Sequence, residues 1–158
     1  MTSTLHPNAR RVAEKLVAAG VAGEVRELPN SARTAAEAAA QLGVEVGAIA
    51  NSLVFDADGE SLLVLTSGAH RVDTARVAAL LGVSGLRRAA PDFVRAATGQ
   101  PIGGVAPVGH PAPVRTLVDV ELARYGVVWA AAGTPHAVFP TSFDELARIT
   151  GGTPADVG

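Results

Sequence analysis

The sequence of 158 residues contains no cysteine and a single lysine, Lys15. The first absence removes disulfides, thiolate nucleophiles and cysteine-ligated zinc together. The second leaves any mechanism that needs an amine with one candidate, on the polar face of an expected surface helix. Aromatic residues make up only 4% of the chain, so aliphatic side chains and alanine must fill the core, and a hydrophobic content of 48% supplies them. No apolar run reaches the length of a membrane span, and Met1 to Pro7 carries no signal-peptide core. A net charge of −2 excludes a surface coated in positive charge, so contact with nucleic acid requires a local arginine patch. The four histidines, His6, His70, His110 and His136, form no pair at ligand spacing. Walker, dinucleotide and G-x-S-x-G signatures are all missing. The expectation is one soluble, cytoplasmic domain over residues 1–158, with no metal, no cofactor and no membrane partner.

What is present is concentrated in Gly103-Gly104-Val105-Ala106-Pro107-Val108-Gly109-His110-Pro111. Glycine permits positive φ and close approach to the main chain, and proline fixes φ. Two readings stand. The stretch is a tight surface turn, or its amides form a nest for an anion or a developing oxyanion.

The flanking elements follow from periodicity and punctuation. A helix is expected from Pro7 to about Ala19 and a short strand from Glu24 to Leu28. Thr34 with Glu37 makes a capping box for a second helix that ends at Gly43. Ala48–Phe55 and Ser61–Thr66 read as a hairpin about Asp56–Gly59. Asp73 caps a helix to Leu81, Gly85–Ala89 is a short strand, and Pro91 opens a helix to Thr98. Strands at Val114–Leu117, Val127–Ala131 and Ala137–Phe139 come next, with a helical turn about Val120–Tyr125. Ser142 with Glu145 forms a second capping box, and the tail after Gly151-Gly152 is expected to be loosely held. Hairpins and helices both join strands, so the class is α+β, with a mixed sheet.

Few residues carry chemistry. Asn51 is the odd polar residue in an apolar strand. It is a satisfied core amide, an outward-facing residue, or a group lining a pocket. His136 lies in the punctuated loop Gly133-Thr134-Pro135-His136 and is either a surface histidine or part of a site; His110 has the same two readings. Ser67 before Gly68 reads as a turn rather than a nucleophile, and His6 and His70 as surface residues.

Asn51-Ser52-Leu53-Val54-Phe55, Gly103 to Gly109, Ala131-Ala132-Gly133 and Thr150-Gly151-Gly152 together resemble the YbaK/EbsC family, the editing domain associated with prolyl-tRNA synthetase. The likeness covers about Asn8 to Val157. It implies a curved, mixed, largely antiparallel sheet flanked by helices. It also implies hydrolysis, in trans, of the ester between a wrong amino acid and tRNA, by water helped by the substrate's own hydroxyl. On this resemblance Asn51, Gly109 and His136 are the catalytic candidates. Ser52, Thr66, Ser67, Gly104, Pro107 and Gly133 are the substrate-binding ones. The implied partner is the acceptor end of mischarged tRNA, with Arg10, Arg11, Arg87, Arg88 and Arg115 as backbone contacts and an aminoacyl-tRNA synthetase as a docking partner. The family typically has lysine where this chain has Asn51, and many relatives have serine where it has Ala131. The alternative is therefore a module that binds an aminoacyl-adenosine end with weak or no hydrolysis. An unrelated small-ester or amide hydrolase is a third reading.

Overall fold

Helix starts fall where short polar side chains or proline can satisfy or dispense with the first free N–H groups. The computed structural model describes residues 5–32, 34–102 and 104–158. Pro7 opens α1 (Pro7–Ala18), and β1 follows as the two-residue strand Arg26–Glu27. The Thr34–Glu37 capping box closes in both directions on α2 (Ala35–Leu42). A 3₁₀ turn over Val46–Ala48 then feeds β2 (Ile49–Ala57), which continues two residues beyond the expected end and pairs with β3 (Glu60–Ser67). Asp73 accepts the N–H of Arg76 at the start of α3 (Thr74–Leu81). Next come β4 (Leu86–Arg88), α4 (Pro91–Thr98), β5 (Arg115–Asp119) and a 3₁₀ turn over Val120–Arg124. The chain finishes with β6 (Val128–Ala131), β7 (Ala137–Thr141), α5 (Phe143–Thr150) and β8 (Thr153–Ala155).

The sheet runs β1-β7-β6-β2-β3-β5-β8, with β4 added to β2. The pairs β1/β7, β7/β6, β2/β3 and β2/β4 are antiparallel, whereas β6/β2, β3/β5 and β5/β8 are parallel. This is the mixed, largely antiparallel sheet with flanking helices that the resemblance implies. Period-two alternation sends side chains to two faces. Ala50, Val54, Leu63, Leu65, Val118, Ala130 and Phe139 pack against Val12 and Leu16 of α1, Val94 of α4 and Leu146 of α5. The opposite face carries two separate clusters. Ile49 and Trp129 lie with Ala38 and Ala39 of α2, and Phe55, Leu62, Val64 and Leu117 lie with Val77 of α3.

Three expectations need correction. The tail is held: β8 pairs with β5, Val157 is fully buried, and its C=O accepts the N–H of Asp73 at 2.7 Å. Pro154 misleads the sequence reading, yet proline is tolerated in an edge strand because no neighbour needs its missing N–H. The second capping box is half formed: Ser142 Oγ accepts the Glu145 N–H, but the Glu145 carboxylate takes the Thr141 hydroxyl at 2.6 Å. His70 is a tethered group rather than a free surface residue, as described below.

Candidate functional site

Asn51 is polar because of where the helices stop. α2 covers the Ile49–Trp129 end of its sheet face and α3 the Phe55–Val64 end, where Leu53 also packs, which leaves Asn51 and the facing Thr66 between them. The same stretch of β2 lies at a split in the sheet. β6 leaves β2 after Ala50↔Ala130, and β4 joins the same edge only at Phe55↔Arg88. The Gly68 N–H bonds the Ile49 C=O at 2.8 Å, so Ile49, Asn51 and Leu53 exchange main-chain bonds with β3. Ser52 therefore turns its own N–H and C=O into the split, where no strand of the described residues pairs with it. Its Oγ is buried and has no hydrogen-bond partner there either.

A cleft of about 1160 Å³ opens at this point, lined by Asn51, Ser52, Leu53, Thr66, His70, Arg71, Arg88, Val105, Pro135 and His136 among others. A recess of about 80 Å³ shares Thr34, Ala35, Asn51, Ser52, Val105 and Pro135 with it, and continues over Ala38, Ile49, Trp129, Ala131 and Val138. The recess is floored by apolar side chains. The cleft contains His70, Arg71 and Arg88 and, among its described lining residues, no carboxylate.

The Gly/Pro loop forms one wall, but largely spends its amides on itself. The buried Gln100 side chain accepts the Ala106 N–H at 2.7 Å and donates to the Val108 C=O at 3.0 Å. Gly104 bonds across to the late loop, its C=O accepting the Gly133 N–H at 2.9 Å. Val105, 3% exposed, lines both cavities, and its N–H has no partner among the described residues. Gly103 lies outside the described residues.

His110 splints this loop from within, its Nε2–H donating to the Ala106 C=O at 2.8 Å. Desolvation pushes its pKa below the usual value of 6.5, against the smaller opposing pull of the Ala106 C=O. The unfolded chain therefore binds a proton more readily than the folded one. Stability is full above about pH 6.5 and falls as the pH drops from there toward the lower folded-state pKa. Thermal melts are expected to show Tm falling between pH 7 and pH 5, with a shallower slope in His110→Gln; equal slopes would contradict this role.

The wall facing α3 is tied by Asp119, which is fully buried. Its carboxylate accepts from the Ser67 N–H at 2.9 Å, the Thr66 hydroxyl at 3.3 Å, His70 Nδ1–H at 2.9 Å and the Glu121 N–H at 2.9 Å. Ser67 is fully buried and its Oγ donates to the Gly47 C=O at 2.8 Å, so this hydroxyl is structural.

Of the sequence-predicted residues, Asn51, Ser52, Thr66 and His136 line the cleft together. Gly104 and Gly133 stand behind the wall, bonded to each other. Pro107 is buried in the loop and Gly109 faces Gln100 and Val12, so neither is among the lining residues. Of the predicted backbone-contacting arginines, Arg88 alone is among the lining residues. Sequence reasoning misses Val105, Pro135, Arg71, Gln100 and the His70–Asp119 pair. Apolar or single charged residues in loops carry no periodic signal, and Asp119 meets partners about 50 positions away.

A family model of the aminoacyl-tRNA editing domain matches residues 29–149. The chain belongs to the aminoacyl-tRNA editing domain family. Among its relatives, YwhH of Bacillus subtilis, a protein without a described function, is 30% identical over 128 residues, covering 80% of this chain and 81% of YwhH. Proline–tRNA ligase of Nitratidesulfovibrio vulgaris is 36% identical over 102 residues, 64% of this editing-domain chain but 18% of the ligase. Among solved structures, a candidate trans-editing enzyme for prolyl-tRNA synthetase superposes with a TM-score of 0.92 at 46% identity, over 98% of both chains. The hypothetical protein APE2540 gives 0.85 at 32% identity, over 93% of this chain and 98% of its own. Among the described residues of this editing domain, no helix is long and apolar enough to cross a membrane.

Proposed function

We propose that the cleft hydrolyses the ester joining a small aliphatic amino acid to the 3′ end of tRNA, with tRNA for proline as the substrate class. The observation that carries the reading is that two residues with unpaired main-chain groups line both the cleft and the recess: Ser52, whose main chain faces the split with no pairing strand, and Val105, whose N–H has no partner among the described residues. In this reading the acyl side chain enters the recess and the terminal adenosine lies in the cleft, toward Arg71 and Arg88. The ester carbonyl oxygen faces the Val105 and Ser52 N–H groups. Water, or water organised by the ribose hydroxyl beside the ester, adds to the carbonyl carbon. The C–O bond to the ribose breaks, the ribose oxygen takes a proton, and the free amino acid leaves as its carboxylate. Fixed donors aimed at the developing oxyanion are each worth about 10²–10³ in rate. The recess is small, about 80 Å³, and mostly lined by apolar side chains, which suits alanine-sized to valine-sized side chains.

Asn51 stands where the family typically places lysine. Its amide can donate and accept without adding charge, so Arg71 and Arg88 are the cations among the described lining residues. The second reading, a module that binds without turnover, is favoured by that same substitution. A series of tRNAs charged with amino acids of increasing size separates the two. The expected result is turnover that declines as the side chain outgrows the recess. His136→Ala is expected to lower kcat/KM at least tenfold, in keeping with a proton-handling or positioning role. Unchanged rates in His136→Ala would remove that residue from the mechanism, and saturable binding without turnover for every tRNA would favour the module.

A further inference from the structure

We propose that Trp129, held in place by Arg26, sets the largest acyl side chain the recess accepts; this rests on the reading that the recess receives the acyl group. Trp129 is the one tryptophan in the chain. Strand register puts it opposite Ile49 on one side and Pro140 on the other, on the sheet face that α2 covers. It is half-buried, packs against the Ala38–Ala39–Ile49 cluster, and lines the 80 Å³ recess. It is by far the largest side chain there, so its ring takes up space that a bigger substrate would need.

The ring is clamped from its solvent side. The Arg26 guanidinium lies over it, 5.0 Å from the centroid, at a range where a cation is drawn to the ring's negative face. Arg26 is exposed, yet it is placed firmly by its backbone. β1 is only two residues long and pairs Arg26 with Val138 and Glu27 with Ala137. The following segment is tied to the late loop, Leu28 N–H bonding the His136 C=O and Ala32 N–H the Pro135 C=O at 2.9 Å. The strand that carries the clamp is thus fastened to the loop that carries Pro135 and His136 at the mouth. β1 has no core of its own, its two residues being exposed. Its place at the sheet edge delivers Arg26 to the ring. Arg26 is a positioning residue and Trp129 a specificity-determining one.

Trp129 also supplies the test, because its emission reports on the recess directly. The wild-type chain is titrated with non-hydrolysable amide analogues of 3′-aminoacyl-adenosine, and with adenosine alone. Saturable emission changes with alanine-sized and valine-sized analogues, and none with adenosine, are expected. An equal response to adenosine, or no response to any analogue, overturns the proposal whether or not the chain hydrolyses tRNA. In deacylation, Trp129→Ala is expected to raise the ratio of kcat/KM for a leucyl over an alanyl ester at least tenfold, the scale of a few methylene-sized contacts. Trp129→Phe, the milder variant, shifts the ratio less and guards against failure to fold. Arg26→Leu is expected to raise the same ratio by a smaller factor, through KM rather than kcat, and Arg26→Lys to restore the wild-type value. An unchanged ratio in both folded Trp129 variants contradicts the proposal. If no ester is hydrolysed by any variant, the proposed activity fails while the emission titration still decides the role of Trp129.

Discussion

Gly104→Ala is expected to lower deacylation about a hundredfold and to cost about 1–3 kcal/mol of stability, the range for forced overpacking. A Cβ at this position would lie 2.6 Å from the Thr134 carbonyl carbon, 2.7 Å from the Thr134 Cα and 3.0 Å from the Pro135 nitrogen. All three are backbone atoms, so no rotamer change relieves the clash and one loop must move. The hydrogen bond from the Gly133 N–H to the Gly104 C=O is lost or stretched as it does. Those loops carry Val105 on one side of the mouth and Pro135 and His136 on the other. A displacement of about 1 Å in a positioned site costs about 10² in rate. Gly85→Ala is the control: an added Cβ meets nothing within 4 Å there, and rate and stability should be unchanged. Rates measured beside thermal melts separate the two effects. A folded Gly104→Ala protein with wild-type activity would show that the contact between the loops does not shape the site.

Asp119→Ala is expected to destabilise the protein by about 3–5 kcal/mol, the cost of breaking a buried charged network by removing one member. Four donors converge on this fully buried carboxylate, two of them main-chain N–H groups. Removing it strands the Ser67 N–H in the interior, and no water-sized opening is needed for the loss to be felt. The network also fixes the turn from Ser67 to His70, and thereby the cleft wall that carries His70 and Arg71. Affinity for tRNA should weaken beyond what instability explains, visible as a raised KM at a temperature where the variant is folded. Asp119→Asn keeps the shape but must present an NH₂ or a single oxygen to these donors, so its loss should be smaller yet clear. Urea unfolding of the three proteins checks this, and a change below about 1 kcal/mol in Asp119→Ala would mean that the network is not holding the wall.

The sequence made local structure legible and cross-chain structure much less so. Thr34 with Glu37, Asp73, Pro91 and Ser142 each mark a helix start through chemistry confined to one turn, and each start is where expected. Asn51 was legible as an anomaly, and its cause is the gap between α2 and α3, which no local pattern encodes. The amide-nest reading covers Val105 only as one of the loop's N–H groups, and nothing local marks its side chain as a wall; Gly104 beside it has no Cβ and so admits the late loop. Gln100, just past a helix end, carries no local signal of burial, yet it is 6% exposed and its amide organises Ala106 and Val108. Ser67 before Gly68 reads as a turn, and only the family resemblance makes it a substrate-binding candidate; its hydroxyl is committed to the Gly47 C=O. The split in the sheet at Ser52 depends on where β6 leaves and β4 arrives, both set by register across distant strands.

On the proposed function, the site at Ser52 and Val105 cleaves an ester rather than merely holding one. The most direct measurement uses a catalytic amount of the chain with tRNA mischarged with a small aliphatic amino acid, counting product per protein molecule. Many turnovers, releasing free amino acid and intact tRNA well above the spontaneous rate, are predicted. Stoichiometric, saturable binding with release no faster than in buffer would contradict the account.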